Sequence, residues 1–549
     1  MKNVKKIASL IMALLLLFSM AACGQNTETF DPENIVEDTT TLDIMCLHKG
    51  YGFQWLTALK EGFEKANPGV EVKITTISKS DIIRGDIKNY KKSETDLYFD
   101  IYATGMGGLV QEYSSYYGGK QAMRPLNEVL STQIPGEGIT VADKMHTTLL
   151  APYQSAGRDT ADTADDVYYG LPYMQGTMGI YYNETVINEA LGEGNWKVPN
   201  TTDELIALCQ RLKDADCHML VPGELDQYTR TMFIPNWAQY EGFENWLKFY
   251  EGVGYDKDRS RESQLSSLIY QQTGRLESLK VAYELISPEN GFVLSNSAEI
   301  GTNNLNDYQK RFVDPKNKLA LYPCGDWLMQ ELKDNSGETG AASTVKMMKT
   351  PVISSIISSV NGYSADQEAR LPNISDDATL SAVIDYVDGR IDTLPAGVTE
   401  AEVAFVKQAR NTISSQADMH MVYAPEFSDA KTLANKFLIY MASNEGIQIL
   451  KDNCIGGFAP YKYEYQNLSV TEQSIYDATK EGIFVGDYKF HELFFFAGAR
   501  STSLTSAAGT MDSYITSPTR VFKTAQELTD EFLKENSGAK WESIISKIS

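Results

Sequence analysis

Positive charge is scarce in this sequence. Its 49 Lys and Arg face 73 Asp and Glu, a formal charge of −24. Phosphate recognition needs clustered Lys and Arg, so the balance argues against nucleic acid and anionic lipid as partners. Solubility accounts for such acidity, and a neutral or cationic ligand fits it better than a polyanion. Histidine is rarer still: His48, His146, His218, His420 and His491 are scattered, and none pairs locally as metal ligands do. No Cys/His cluster has zinc spacing, so neither a metal nor another cofactor is expected. The acidic run Asp159, Asp162, Asp165 and Asp166 lacks the pattern and the glycine of a calcium loop and reads as solvated chain. Also missing are HExxH, the GxSxG elbow, the Walker loop and a GxGxxG opening a helix after a strand. A binding protein is therefore expected before an enzyme. Beyond the first 23 residues no apolar run is long enough to cross a bilayer.

What is present begins at that first run. Lys2, Lys5 and Lys6 precede apolar residues from Ile7 to Met20, and Met20-Ala21-Ala22-Cys23-Gly24 follows. A charged start, a short apolar core and small residues at a cut site make a secretory signal over residues 1–22. The cut before a cysteine resembles the lipobox of bacterial lipoproteins, with Met20 where Leu is usual. The resemblance implies that Cys23 becomes the N-terminus and carries lipid, placing the protein on the extracytoplasmic face of the cell membrane; plain secretion is the alternative. Removing the signal takes the charge to −27. Residues 23–40 are polar and acidic and cannot bury enough surface to fold alone, so they read as a tether. With Cys23 modified, Cys46, Cys209, Cys217, Cys324 and Cys454 are odd in number, leaving at least one unpaired. Cys209 and Cys217 are near neighbours, either a local disulfide or two small buried side chains.

The body has volume for about two domains. Thr41 to Leu47 is extended, and Trp55, Leu56, Leu59, Phe63 and Ala66 then share a helical face that Asn67-Pro68-Gly69 ends. Val70, Val72 and Ile74 alternate as in a half-buried strand, a polar helix is expected over 80–93, and a third strand spans Leu97 to Ala103. Strands alternating with helices imply βαβ units and a largely parallel sheet, with ligands beyond the strands' carboxyl ends. The loops 48–53 and 100–107 stand out for that reason. Thr201 and Glu204 form a capping box ahead of Leu205, Leu208, Cys209 and Leu212, and Leu433, Phe437, Leu438 and Met441 repeat the helical pattern.

The stretch from Phe63 to Val72 (FEKANPGVEV) resembles the first helix-to-strand step of extracellular solute-binding proteins of bacterial ABC importers, the sugar-binding branch above all. Tyr169 to Tyr173 with Gly179 to Asn183 resembles the strand crossing from first lobe to second, and Pro199 to Leu205 a helix start. Lys318 to Trp327 resembles the returning strand, and Ala434 to Leu450 with Gly456 to Pro460 the late helix and its turn. The order of these matches over much of the chain is the specific signal. The resemblance implies an α/β, two-lobed periplasmic-binding-protein fold (a type II Venus flytrap), each lobe a mainly parallel sheet flanked by helices. The expected division places 41–168 with 326–418 in lobe 1 and 169–325 with 419–549 in lobe 2. Residues 366–418 depart from the family pattern and read as an insertion.

A sugar offers apolar faces and a rim of hydroxyls, so its receptor needs aromatic platforms beside carboxylates and amides. The candidates in strand-end and lobe-crossing loops are Tyr51, Asp100, Tyr173, Gln175, Trp237, Asp326 and Trp327. Trp55 is the better core residue, and Pro235-Asn236-Trp237 reads as a helix start. The resulting expectation is a monomer that captures a solute, most plausibly an oligosaccharide, and hands it to ABC permease subunits, touching the membrane only through its lipid. A glycan-active enzyme using Asp100 and Asp326, or a sensing lipoprotein without transport, are the rivals.

Overall fold

The computed structural model describes residues 37–48, 50–78, 99–104, 122–150, 153, 167–221, 226–251, 267–294, 305–336, 343–361, 368–488 and 524–547. The signal, Cys23, the start of the tether, the helix expected over 80–93 and the acidic run 159–166 lie outside them.

Strand β1 (Thr41–Leu47) leads to helix α1 (Gln54–Ala66), which buries Trp55, Leu56, Leu59 and Phe63 at the expected spacing. Asn67 closes the helix and the chain returns as β2 (Glu71–Ile77), parallel to β1. Strand β3 (Ile101–Thr104) pairs parallel with β1 on its other side. Short β4 (Gly170–Pro172) completes this half. The chain then enters a second sheet with β5 (Thr177–Asn183), every residue of which is buried. Helix α2 (Thr202–Asp214), strand β6 (His218–Leu220), helix α3 (Asp226–Glu241) and strands β7 (Val293–Leu294) and β8 (Leu319–Gly325) build that sheet and its cover. Thr201 caps α2 through the Glu204 amide at 3.2 Å, but Glu204 turns its carboxylate to the Asn200 amide, so only half of the expected box forms.

After α4 (Leu328–Ser336) come β9 (Val345–Met347), α5 (Asp377–Val387), α6 (Glu400–Asn411) and β10 (Thr412–Ser415). Strand β11 (Met421–Tyr423), helices α7 (Lys431–Ala442), α8 (Asn444–Asp452) and α9 (Val470–Thr479), and β12 (Ile483–Val485) follow. The first sheet has the order β2-β1-β3-β11-β4; the second runs β12-β10-β5-β8-β6-β7, with β9 also on β5. The βαβ units account for the parallel β2-β1-β3. The antiparallel partners β11 and β5 are strands that begin where the chain has just crossed between sheets.

Sheet membership corrects the expected division. Strands β9 and β10 pair with β5, and α5 and α6 pack with Tyr240, so 343–415 sits in the second lobe. Strand β11 joins the first sheet, and Phe437 of α7 meets Phe63 of α1 at 5.1 Å, so the chain from 421 through α8 lies with the first lobe, while β12 and residues 524–547 pack with the second, as expected. A boundary near 418 is present, with its two sides exchanged. Helix α6 stops at Asn411 because Thr412-Ile413, β-branched, joins the ladder beside β5 and β12.

The strand ends define one working edge. Leu47 pairs with Ile77, while Thr104 and Pro172 both oppose Met421, so β1 to β4 end together. In the second sheet β8, β10 and β12 end where β5 begins, as Met178 opposes Gly325, Thr177 opposes Ser415 and Ser414 opposes Val485. Residues 173–176 and 416–420 pass between the two edges. The carboxyl ends of both sheets therefore face the same junction, the place where such sheets bind ligands.

Candidate functional site

Asp326 lies at the centre of that junction. Its position follows from β8: the strand ends at Gly325, and the Asp326 amide donates to Thr177 O at 2.8 Å. One carboxylate oxygen accepts the Thr177 amide at 3.2 Å, and the other accepts the Tyr51 hydroxyl. Asp326 is wholly buried, and burial pushes its carboxyl up to about 7 against the lowering effect of the Tyr51 and Thr177 hydrogen bonds. Burial and the neighbouring carboxylate push the Tyr51 phenol well above its ordinary range. A hydroxyl from the first lobe thus holds a carboxylate on the strand that leaves the second.

Aromatic rings close around this pair. Tyr51 meets His420 edge-on at 4.7 Å and Trp327 at 5.9 Å, and His420 lies 5.8 Å from Tyr173. Tyr173 stacks on Trp55 at 5.0 Å, with planes 17° apart. Burial lowers the His420 imidazole to about 3, so the ring is neutral. Gln175 is fixed by Gln175 N to Phe458 O at 2.9 Å and Nε2 to Ala459 O at 3.1 Å. Gly176 has a φ of +59° and runs so close to residues 416–417 that a Cβ would stand 2.7 Å from the Gln416 carbonyl carbon. Two crossing segments therefore touch backbone to backbone beside the cluster.

Five of the candidate residues are brought together: Tyr51, Tyr173, Gln175, Asp326 and Trp327. All are buried, so in this conformation they form the floor of the junction. Two are placed elsewhere. Asp100 precedes β3, where its carboxylate accepts the Asp43 amide at 2.8 Å and the Ser428 hydroxyl at 2.7 Å. It closes the amino edge of the sheet, and burial pushes it to about 6. The strand's length, about 13 Å, separates it from the carboxyl edge, too far for Asp100 and Asp326 to flank one glycosidic bond. Trp237 is a core residue of α3, its indole N–H donating to Gln272 Oε1 at 2.6 Å and its ring 4.9 Å from Phe249. Pro235 lies inside that helix, not at its start. Cys23 lies outside the described residues. His420 was missed as a member of the cluster, because it precedes β11, which is too short to show periodicity; Trp55 is core, as expected, and joins the cluster by stacking on Tyr173.

Cys46, Cys209, Cys217, Cys324 and Cys454 are free and buried, so Cys209 and Cys217 are two packed thiols. Among the described residues no group of three or more His, Cys, Asp or Glu is placed to hold a metal ion. A groove of about 940 Å³ involving Arg390, Arg410 and Lys349 opens by the amino ends of β10 and β12, away from the junction. Asp388 lies 2.9–3.0 Å from each of these three cations.

Residues 50–273 match the family described as bacterial extracellular solute-binding protein. The solute-binding fold is shared with solved structures at low identity. Apo RafE from Streptococcus pneumoniae is 13% identical with a TM-score of 0.55, over 90% of this chain and 97% of that one. The sugar-binding protein MalE from Xanthomonas citri is 14% identical with a TM-score of 0.55, over 92% and 98%. RafE in complex with raffinose is 14% identical with a TM-score of 0.50, over 90% and 98%. No curated protein matches the sequence. No helix among the described residues is long and apolar enough to cross a membrane.

Proposed function

We propose that this solute-binding protein is tethered through Cys23 outside the cell, closes its two lobes on a carbohydrate, and delivers it to the permease of an ABC importer. The observation that carries the reading is the facing pair of carboxyl edges, joined by crossing segments and floored by aromatic rings around Asp326. Aromatic faces and buried polar groups converging at a hinge suit a ring-shaped, hydroxyl-rich guest. The sugar-binding proteins that share the fold support the class of ligand. Closure is a ligand-driven population shift: the guest stabilises the shut arrangement by its added contacts with both edges. Tyr51, Tyr173, Gln175, Asp326 and Trp327 are assigned to the floor of the binding cleft.

A thermal-shift screen of raffinose, maltotriose, polyamines and short peptides tests the reading, since a ligand that binds only the folded state raises the melting temperature. A shift with a sugar alone is expected. A shift with polyamine or peptide and none with sugar would overturn the ligand class. The sugar recovered after incubation should be intact, and cleaved sugar would replace binding by catalysis. Trp327→Ala is a poor probe because the ring is buried and its loss costs about 3–5 kcal/mol in any state. Trp327→Phe retains most of the packing and should weaken the sugar-induced shift.

A further inference from the structure

A second cavity, of about 250 Å³, lies beside the junction and is walled by tyrosines. Tyr465 forms its back, with Tyr463 edge-on at 4.9 Å and Tyr476 edge-on at 5.5 Å. The rings are held in place: Tyr463 donates to Gln448 Oε1 at 3.0 Å, and Tyr476 to Tyr463 O at 3.2 Å. His146 enters from the first lobe, its ring fixed edge-on to Phe484 at 5.2 Å. Burial lowers this imidazole to about 4, so near neutral pH it can both donate to and accept from a hydroxyl.

The cavity joins parts of both lobes. The loop carrying Tyr461 to Tyr465 is tied to the first lobe, where Met145 bridges Tyr461 and the Lys462 amide donates to Lys144 O at 2.9 Å. Tyr476 belongs to α9, whose Ser474 hydroxyl accepts the Met347 amide at 2.9 Å and whose Thr471 hydroxyl donates to Val345 O at 2.7 Å, both on β9 of the second sheet. The rim carries Lys462 and Lys480 against Glu464 and Glu481, two charges of each sign, which favours a ligand without net charge. The volume falls just below the range of about 300–1,000 Å³ typical of drug-sized ligands. That is room for one sugar ring and not for a chain of them.

We infer that this tyrosine-walled cavity is an auxiliary site for a single neutral pyranose, adjoining the principal cleft through the shared Gln175 and touching both lobes. Rings offer faces to the apolar side of the sugar, while His146 and the rim carboxylates and ammonium groups meet its hydroxyls. The inference goes beyond the proposed delivery function and does not depend on which oligosaccharide the cleft takes.

The test is calorimetry of the full chain with D-glucose, D-galactose, D-mannose and D-xylose at millimolar concentration, alongside the oligosaccharide found by thermal shift. At least one monosaccharide is expected to bind. Tyr476→Ala should weaken it by at least about tenfold, a loss of about 1.4 kcal/mol, while oligosaccharide affinity stays within about twofold. Glu481→Gln, on the exposed rim and safe for folding, should weaken it about threefold or more. Binding of none of the four, or unchanged affinity in both variants, would overturn the site. Failure of the oligosaccharide arm alone would count against the cleft and leave the auxiliary site standing.

Discussion

The Tyr51–Asp326 contact is where burial and charge conflict most sharply. Asp326 is wholly buried with a carboxyl near 7, whereas an unfolded aspartate titrates near 4. The folded chain therefore holds more protons than the unfolded chain between those values, and stability falls as pH rises through that window. Glu331 and Asp100 are also raised, to about 7 and about 6, so the whole protein will not isolate the effect. The difference between Asp326→Asn and the parent does, since the other two groups cancel. Urea midpoints should move in favour of the variant as pH rises from about 5 to about 8, by up to about 1.4 kcal/mol per pH unit. A gap that stays constant would mean Asp326 does not titrate there. Tyr51→Phe removes the donor and strands one carboxylate oxygen, so it should cost about 1–3 kcal/mol, more at high pH than at low. The placement of Tyr51, Asp326 and Trp327 at the junction was legible because each stands just past a strand, where the chain must turn. Trp237 and Asp100 misled for the opposite reason. A tryptophan in a helix and an aspartate beside a strand look alike whether they face a cleft, a core or the far edge of a sheet.

Elements with long periodic patterns were readable in advance. Helix α1 buries Trp55, Leu56, Leu59 and Phe63 as their spacing demands, and α7 buries Leu433, Phe437, Leu438 and Met441. Short crossing strands such as β10 and β11 were not, because three or four residues carry no period and partners such as β5 and β3 lie hundreds of residues away. That is why the insertion was assigned to the wrong lobe although its boundary lay at a real crossing. Two substitutions separate hinge from periphery. Gly176→Ala must place a Cβ against the Gln416 backbone at positive φ, so it should lower stability by at least about 1 kcal/mol and weaken ligand binding as well. Thr399→Ala deletes the reciprocal cap of α6, where Thr399 and Glu402 satisfy each other's amides. It should cost about 1 kcal/mol in urea denaturation with ligand affinity unchanged, since α6 packs away from the junction. Loss of binding in Thr399→Ala would show that the inserted helices shape the site.

At the scale of the molecule, two sheets aim their carboxyl ends at one junction, and the chain passes between them beside it. The order of family-like segments made that architecture readable. The full membership of the junction cluster was not, because it is assembled from segments with no shared pattern. The strong negative charge sets such a body against polyanions. If the crossing segments act as a hinge, binding must shorten the molecule. Small-angle X-ray scattering of the protein with and without its saturating sugar measures this directly. The account predicts a smaller radius of gyration with sugar bound. An unchanged radius at proven saturation would contradict closure.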